Sequence, residues 1–376
     1  MPDILYRINP DRNRPWNDLP LLPIRKELYE NVEVLSSLGN AKAALARLQG
    51  RSVVIPDQGL LINSISLQEA KNSSEIENIF TTDDELYKAY SDDHKEGSGA
   101  SKEVLRYREA LWSGYHNLKR SGSFSLRYFI DVCGQIKRSE EGIRPPFSNT
   151  VILQGGSGPN AGNIVYTPPR GEEVIAEKMA NLIDFINDDD TYRIDPLLKM
   201  CIAHYQFEAI HPFRDGNGRT GRIFNINYLT AKGLLDYPIL YHSRYILENK
   251  DGYYDTLTGI SQRGEWKKWF IFMLKAIEVT SNITYHKINQ MVSAKDAILE
   301  HVRGDNRNFQ KSEGLIEAIF TQPYTKVRHL TEKGLYAENT AREYLNRLVD
   351  MGILEKKRVK GHDYYLNIEL ANILSE

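Results

Sequence analysis

The densest cluster of polar residues in the sequence occupies positions 211–222, which read HPFRDGNGRTGR. Gly216 and Gly218 permit unusual backbone angles, so that successive N–H groups could face one concavity and bind an anion. A helix that begins there would add its free N–H groups and the positive end of its dipole. Arg219 and Arg222 are three residues apart, so both could bind oxyanions from one helix face. The segment therefore predicts a polyphosphate site.

Two other residues of this segment could supply the remaining chemistry of phosphate transfer. Asp215 is the one carboxylate of the loop, and a carboxylate beside phosphates is a typical Mg²⁺ ligand. His211 precedes the loop, and its imidazole could take a proton from an attacking hydroxyl near neutral pH. Each residue alone has an ordinary structural explanation, such as a turn aspartate. Their combination in so short a segment favours the functional interpretation.

The glycines of the segment also match a second type of phosphate site. Gly216-x-Gly218-x-x-Gly221 fits the dinucleotide-binding fingerprint, and Asp236 lies at about the expected interval beyond it. That fingerprint requires a buried strand immediately before it and a parallel sheet around it. Here the preceding segment has helical periodicity, and strand signals are sparse throughout the chain. The dinucleotide-binding interpretation is therefore rejected.

The composition is typical of a globular protein that works in a reducing compartment. The 376 residues (43.2 kDa) suggest two or three domains. Forty-eight basic and fifty acidic side chains leave a net charge of −2, which excludes a polybasic protein. No apolar run approaches the ~20 residues that span a bilayer, and no secretory signal is recognisable. Cys133 and Cys201 are far apart, which argues against a disulfide framework. We expect a cytoplasmic protein without a membrane segment.

Hydrophobic periodicity predicts an all-α, mainly helical fold. The first 25 residues have the composition of an extended arm, and helical patterns fill most of 26–135, with an interruption at 58–64. Ser66 and Glu69 have capping-box spacing, which predicts a helix that begins at Ser66 and ends at about residue 79.

One segment of the central region differs from its helical surroundings. Residues 148–170 contain two short β-branched runs around a glycine-rich centre, which predicts a β-hairpin with a long tip. Helices are predicted over 195–209, from near Gly218 to a C-cap at Gly233, and over 265–303.

The last seventy residues resemble a separate domain. Three short helices and two strands around residues 360–361 have the layout of a winged helix, a helix-turn-helix variant. Residues 306–376 carry 11 basic and 10 acidic side chains, a net charge of +1, which is weak for a DNA-binding domain. The local basic run at Lys356, Lys357, Arg358 and Lys360 keeps DNA binding open, with target binding or dimerisation as alternatives.

The polar segment also resembles a known family. Residues 211–222 match the Fic signature, H-P-F-x-D/E-G-N-G-R-x-x-R, at every specified position. Flanking segments such as HYQFEAI and GEWKKWFIFML are similar to Fic-domain sequences too, and the resemblance covers roughly 100–290. It implies a helical Fic fold and transfer of AMP from Mg·ATP to a Ser, Thr or Tyr hydroxyl of a target protein or of the protein itself.

The resemblance implies a role for each residue of the segment. His211 would be the general base, and Asp215 would hold Mg²⁺. Nucleotide binding would fall to the rest of the motif and to three downstream residues, namely Gly216, Asn217, Gly218, Arg219, Thr220, Gly221, Arg222, Asn249, Tyr253 and Tyr254. Among these, the Asn217 side chain would contact the α-phosphate, Arg219 the β-phosphate and Arg222 the γ-phosphate. For the two tyrosines, ordinary packing remains an equal alternative.

A second motif lies upstream, at residues 73–78. Ser73, Glu77 and Asn78 fit the family's inhibitory pattern, [S/T]-x-x-x-E-[G/N], and its N-terminal position resembles class II Fic proteins. Glu77 would pair with Arg222 and so remove the arginine that orients the γ-phosphate. One charge-assisted hydrogen bond contributes ~1.5–3 kcal/mol, which corresponds to roughly ten- to hundred-fold inhibition.

These features divide the chain into three expected regions. Residues 1–100 would form an N-terminal helical region with the inhibitory helix, 101–295 the catalytic core, and 300–376 the winged-helix domain. The hairpin at 148–170 would be the flap that holds a target segment by strand pairing. The resemblance also allows a homodimer. Three alternatives remain: transfer of another nucleotide, removal of AMP, and a role as a DNA-binding regulator. Phosphorylating relatives carry a lysine at the position of Gly218, so the glycine disfavours a kinase.

Overall fold

The computed structural model is built almost entirely of α-helices, as the periodicity predicts. It describes residues 5–53, 58–91, 99–153, 161–305, 309–359 and 361–375. Residues 5–25 form an arm without regular structure, and a short 3₁₀ turn follows at Lys26–Leu28. Three helices complete the N-terminal region: α1 (Val32–Val53), α2 (Gln58–Ile76) and α3 (Asp83–Ser91).

The central region surrounds two helices that lie deep in the core. Its elements are, in order, α4 (Gly99–Ser121), α5 (Leu126–Lys137), β1 (Ile152–Leu153), β2 (Ile164–Tyr166), α6 (Glu172–Asn187), α7 (Pro196–Ile210), α8 (Asn217–Ala231), α9 (His242–Glu248), α10 (Lys250–Arg263) and α11 (Trp266–Arg303). Nearly every residue of α7 and α8 is buried. Because both helices are covered on all sides, the loop between them is held by the whole domain.

The helix boundaries that bear on the site agree well with the sequence. Asp195 caps the N-terminus of α7 by accepting from the Leu197 N–H at 3.0 Å, and Pro196 is its first residue. Gly233, just beyond the end of α8, has φ of 68°, which is the left-handed conformation that glycine adopts at helix ends.

The C-terminal region consists of α12 (Ser312–Phe320), β3 (Tyr324–Thr325), α13 (Val327–Glu332), α14 (Glu338–Asp350), β4 (Leu354–Val359), β5 (His362–Asn367) and α15 (Ile368–Ser375). The three strands form an antiparallel sheet in the order β3-β5-β4. The sequence predicted the three helices and the β4–β5 ribbon; it missed β3, which is only two residues long, and α15. The order of these three helices and of the β4–β5 ribbon agrees with the sequence, and the assignment to the winged-helix class remains a prediction.

The start of α2 differs from the prediction. The helix begins at Gln58, eight residues before Ser66, so the predicted start at Ser66 is wrong. Within α2 the Ser66 hydroxyl donates to the Asn63 carbonyl at 3.4 Å, one turn back. The Glu69 carboxylate accepts from the Ser243 N–H at 2.8 Å, in the first turn of α9. The two residues therefore have capping-box spacing without capping this helix.

The predicted hairpin is present but short. β1 and β2 pair antiparallel, with Ile152 opposite Tyr166 and Leu153 opposite Ile164. The glycine-rich tip lies mostly outside the described residues. The N-terminal arm packs beside β2, because Trp16 donates its backbone N–H to the Thr167 carbonyl at 3.1 Å. The arm therefore forms part of the wall next to the hairpin.

The C-terminal region contacts the N-terminal region through α3. The Tyr324 hydroxyl donates to Asp84 Oδ1 at 2.5 Å, and Lys357 Nζ lies 3.7 Å from the same oxygen. Arg328 donates to the Ser91 carbonyl at 2.5 Å. Two side chains of the basic run at 356–360 are thus engaged in ion pairs within the protein, since Lys357 pairs with Asp84 and Lys356 with Asp363.

None of the helices in the described part of the chain combines the length and the apolar character that crossing a membrane requires.

Candidate active site

The loop that joins α7 to α8 is built around two left-handed residues. His211, directly after α7, has φ of 51° and ψ of 58°, and Gly216, directly before α8, has φ of 87°. The loop reverses the chain so that the first turn of α8 starts beside the last turn of α7. Because the first N–H groups of a helix have no intrahelical partner, this end of α8 can bind an anion.

The Asn217 side chain holds the loop in this shape. Its Oδ1 accepts from the Phe213 N–H at 2.9 Å, and its Nδ2 donates to the Phe213 carbonyl at 2.8 Å. Phe213 itself is 2% exposed and anchors the loop in the core. Both polar atoms of the amide are thus engaged with Phe213, and the contact of this side chain with an α-phosphate remains a prediction.

A cavity of about 900 Å³ opens beside the loop. Of the predicted site residues, it is lined by His211, Gly218, Arg222, Tyr253, Tyr254, Glu77 and Asn78. The β1 and β2 residues Ile152, Leu153 and Val165 also line it. The base, the helix N-terminus, the second arginine and the hairpin therefore share one space large enough for a nucleotide.

Several predicted residues do not line this cavity in the described structure. Arg219 is 2% exposed and donates to Glu103 Oε1 of α4 at 2.6 Å. Thr220 and Gly221 are buried in α8, and Gly216 lies at the base of the loop against Cys133. Asn249 donates its side chain to the Tyr245 carbonyl at 2.9 Å. The proposed contacts of these residues with nucleotide remain predictions.

Arg222 lies between the cavity and α2. Its Nη2 donates to Glu77 Oε1 at 2.7 Å and to the Ser73 carbonyl at 2.9 Å, and its Nε donates to Ser73 Oγ at 2.8 Å. Burial by itself would raise the pKa of Glu77, but the charge and hydrogen bond of Arg222 outweigh it and hold that pKa below its usual value. Ser73 lies in the last turn of α2 and Glu77 directly follows that helix, so the i, i+4 spacing presents both acceptors to the guanidinium from one side.

The geometry of Asn78 explains why the pattern asks for glycine or asparagine. Asn78 follows the last turn of α2 with φ of 60°, and the Ile79 N–H donates back to the Ser74 carbonyl at 3.1 Å. This is a Schellman end, in which the residue after the helix is left-handed. Glycine and asparagine adopt that conformation most readily. Asn78 thus ends the helix directly after Glu77.

Asp215 is positioned at the mouth of the loop. Lys137 Nζ of α5 donates to its Oδ2, and its Oδ1 accepts from the Gly216 N–H at 2.6 Å. Burial would raise the pKa of Asp215, yet Lys137 holds it below the usual value, so the carboxylate is charged. The described residues contain no group of three or more His, Cys, Asp or Glu that could hold a metal ion. A single exposed carboxylate fits Mg²⁺ only when phosphate oxygens complete the coordination.

His211 is held in an environment that keeps it neutral. Burial and the nearby Arg144 lower the pKa of His211 to about 4. Its Nδ1 is buried and has no hydrogen-bond partner among the described residues. Because the imidazole is neutral, it can accept a proton, which is what a general base requires.

Three residues around the cavity were missed by the sequence analysis. Glu208 lines the cavity, and burial raises its pKa to about 8. His204 Nε2 lies 2.8 Å from the Tyr253 hydroxyl. Lys250 Nζ donates to the Ile76 carbonyl at 2.5 Å, at the end of α2. A helical plot contains the signal for two of them, because His204 and Glu208 lie four residues apart on the face that leads to His211.

The fold and site together define a class: a helical domain whose polar loop, at the N-terminus of a buried helix, faces a cavity between a β-hairpin and an inserted glutamate. Comparison with protein families identifies the same class. The Fic/DOC family N-terminal model matches residues 35–116, and the Fic/DOC family model matches residues 121–229. The C-terminal domain of SoFic-like protein adenylyltransferases matches residues 295–370. The chain therefore belongs to the Fic/DOC family.

Individual relatives are similar over parts of their length. Protein adenylyltransferase fic-1 of Caenorhabditis elegans is 30% identical over 151 residues, which is 40% of this chain and 27% of that protein. Protein adenylyltransferase Fic of Drosophila grimshawi is 25% identical over 278 residues, 73% of this chain and 52% of that protein. The chain thus spans about half or less of these relatives.

A solved structure supports the fold. A Fic family protein from Desulfovibrio desulfuricans superimposes with a TM-score of 0.56 at 22% identity, covering 88% of this chain and 95% of that chain. The predicted mainly helical Fic fold is confirmed.

Proposed function

We propose that this protein is a protein adenylyltransferase, which transfers AMP from ATP to a Ser, Thr or Tyr hydroxyl of a target protein or of the protein itself. His211 takes the hydroxyl proton, and the oxygen attacks the α-phosphorus. A new P–O bond forms to the target, the bond between the α-phosphorus and its bridging oxygen breaks, and pyrophosphate leaves. The names of the matched relatives support this assignment.

The observation that supports this proposal most directly is that three features line the same cavity. His211, the α8 N-terminus at Gly218 and the Arg222 guanidinium all line it. An anion at the helix end would be stabilised by free N–H groups and the helix dipole. A target strand paired with the hairpin would bring its hydroxyl to the same space. Tyr253 and Tyr254 line the part of the cavity that we assign to the nucleoside.

Asp215 is the residue that would hold Mg²⁺. When bound, the ion would neutralise charge on the phosphates of ATP. Lys137, which pairs with Asp215 in the described structure, must then share or release the carboxylate. Arg219 can reach a phosphate only after it leaves Glu103, so we propose that the two events accompany nucleotide binding.

The Arg222–Glu77 pair supports an inhibitory role for α2. The arginine side chain is 1% exposed, and the glutamate fills the space beside Gly218. A Cβ atom at position 218 would lie 2.5 Å from Glu77 Oε1. The glycine at position 218 thus leaves room for the seated glutamate, and the absence of the lysine that phosphorylating relatives carry here favours AMP transfer over phosphate transfer.

Several finer points remain proposals. Use of another nucleotide and removal of AMP are alternative activities of the same site. DNA binding by the C-terminal region is the weaker alternative, because Lys356 and Arg358 face Asp363 and Lys357 faces Asp84. A homodimer, a cytoplasmic location and the division into regions 1–100, 101–295 and 300–376 stay predictions.

The test follows label from ATP. Wild type, Glu77→Gly and His211→Ala are incubated with ATP labelled on the α- or γ-phosphate and Mg²⁺, with cell lysate as a source of targets. We expect more protein-bound α-label with Glu77→Gly than with wild type, and none with His211→Ala. Equal labelling by all three proteins would reject the mechanism, and transfer of γ-label without α-label would identify a kinase.

A further inference from the structure

A buried arginine with no role in the proposed chemistry lies directly behind the catalytic loop. Arg144 precedes the hairpin and is 2% exposed. Its Nε donates to the His211 carbonyl at 2.8 Å, and its Nη2 donates to the Pro169 carbonyl and, at 3.4 Å, to the Ile210 carbonyl. Its backbone N–H donates to the Pro212 carbonyl at 2.8 Å. The residue therefore binds four main-chain carbonyls from two segments.

The first segment is the end of α7, where a cation has a defined physical effect. The last carbonyls of a helix have no intrahelical partner and carry the negative end of the helix dipole. Arg144 satisfies one of them, at Ile210, together with the carbonyl of His211 directly after the helix. His211 is left-handed, a conformation that costs about 1–2 kcal/mol in a residue with a side chain. The hydrogen bond from Arg144 Nε to the His211 carbonyl holds His211 in that conformation.

The second segment is the base of the hairpin. Pro169 lies three residues beyond the end of β2, so the Arg144 guanidinium joins this end of the hairpin to the loop that carries the base. Tyr166, the last residue of β2, makes a parallel connection, because its hydroxyl donates to the Ala209 carbonyl at 2.9 Å. Arg144 and Tyr166 together fix the distance between the hairpin and the end of α7.

The environment of Arg144 indicates that these carbonyls, and not a counter-ion, determine its position. Among the described residues no carboxylate pairs with its guanidinium. Burial lowers its pKa, and the neighbouring Arg170 lowers it further. A buried cation without a counter-ion is unfavourable unless its N–H groups are satisfied, and here main-chain oxygens satisfy them.

We infer that Arg144 is a positioning residue for the proposed transfer: it fixes the imidazole of His211 relative to the hairpin strand that presents the target hydroxyl. The inference rests on the proposed function. Arg144 contacts the base and the hairpin but does not line the cavity, so it affects the alignment of the reacting groups and not the binding of nucleotide. Loss of Arg144 should therefore reduce the rate of transfer and leave nucleotide affinity unchanged.

The test uses the full-length protein with Glu77→Gly as the active background. Arg144→Lys keeps the charge and loses the planar fork, and Arg144→Met loses both. The matched control is Arg170→Lys, an exposed arginine that donates to the single carbonyl of Pro146. Self-labelling at saturating α-labelled ATP measures the maximal rate constant of transfer, written kcat below. Titration calorimetry with a non-hydrolysable ATP analogue measures affinity.

We expect Arg144→Met to reduce kcat by about 100-fold, the effect of an approximately 1 Å displacement of a reacting group. Arg144→Lys should restore part of that loss. The Kd of the analogue should change less than twofold in both variants, and Arg170→Lys should match the background. Unchanged kcat in both Arg144 variants, or a loss of affinity equal to the loss of rate, would overturn the inference.

Hydrogen exchange separates this result from failure of the proposed function. In protein without nucleotide, amide exchange at residues 209–213 should be about ten-fold faster in Arg144→Lys, while α14 stays protected and reports an intact fold. This readout needs no activity. If the Arg144 variants do not fold, Tyr166→Phe removes the parallel connection and should lower kcat several-fold; an unchanged rate and unchanged exchange there would count against the inference.

Discussion

Replacement of Glu77 by glycine should activate the protein, and the structure sets the scale of the effect. The residue makes one charge-assisted hydrogen bond, at 2.7 Å, to an arginine that is itself held by Ser73 through two further bonds. Only the Glu77 bond is lost in the variant. Such a bond contributes ~1.5–3 kcal/mol, and each 1.36 kcal/mol corresponds to a factor of ten. AMP transfer should therefore rise by about 10- to about 150-fold.

Two related variants show how much of this effect depends on the charge of Glu77. Glu77→Gln keeps a neutral hydrogen-bond acceptor, which contributes about 0.5–1.5 kcal/mol, so its activity should lie between wild type and Glu77→Gly. Glu75→Gln is the matched control, because Glu75 lies two residues before Glu77, in the last turn of α2, and its carboxylate forms no ion pair or hydrogen bond among the described residues. It should behave as wild type.

The assay is initial-rate incorporation of α-labelled AMP into protein at saturating ATP, with mass spectrometry to locate the modified residue. Calorimetry with an ATP analogue provides a separate measure of binding. The decisive adverse result is a Glu77→Gly protein that binds the analogue and folds normally, yet incorporates no more AMP than wild type. The pair with Arg222 would then be structural only.

Four further predictions follow from the same geometry. His211→Ala should reduce transfer by ~10²–10⁴-fold, and because burial lowers the pKa of His211 to about 4, the wild-type pH–rate profile should stay flat from pH 8 to pH 5 instead of falling near 6.5. Burial raises the pKa of Glu208 to about 8, above its unfolded value of 4.5, so its stabilising contribution is full below pH 4.5 and is lost as pH rises through 8; in thermal scans, wild type should lose Tm relative to Glu208→Gln between pH 5 and pH 8.5. Asn78→Gly should retain both stability and inhibition, whereas Asn78→Val should lose about 1–2 kcal/mol at the end of α2, detectable as a lower Tm and higher basal transfer. Asp84→Asn should weaken the contact between α3 and the C-terminal region by about 1–2 kcal/mol, measured as faster hydrogen exchange over residues 83–91.

The local structure of the site was predicted from the sequence where it depends on short spacings. The left-handed Gly216 and the helix that begins at Asn217 follow from glycine conformations and helix-start signals, which the residue order contains. The pairing of Glu77 with Arg222, 145 residues away, was predicted only through the family resemblance.

The parts that could not be predicted depend on contacts between distant segments. Arg219 pairs with Glu103, 116 residues away, and Lys137 pairs with Asp215, 78 residues away. Neither pair has a signature in the sequence. The start of α2 was misplaced for the same reason, because Glu69 is used by α9 rather than by its own helix end. Long-range partners thus decided the roles of residues whose local pattern suggested something else.

Three ion pairs around the loop have a shared consequence for how the site meets its ligand. Arg222 with Glu77, Arg219 with Glu103 and Lys137 with Asp215 each join a group that we assign to Mg·ATP to an opposite charge of the protein. Each of these three groups therefore already has an opposite charge of the protein beside it before nucleotide binds. Nucleotide binding is then an exchange of ionic partners, and its net free energy is the small difference between the ion pairs within the protein and those with Mg·ATP. Modest shifts in helix position can therefore raise or lower the affinity.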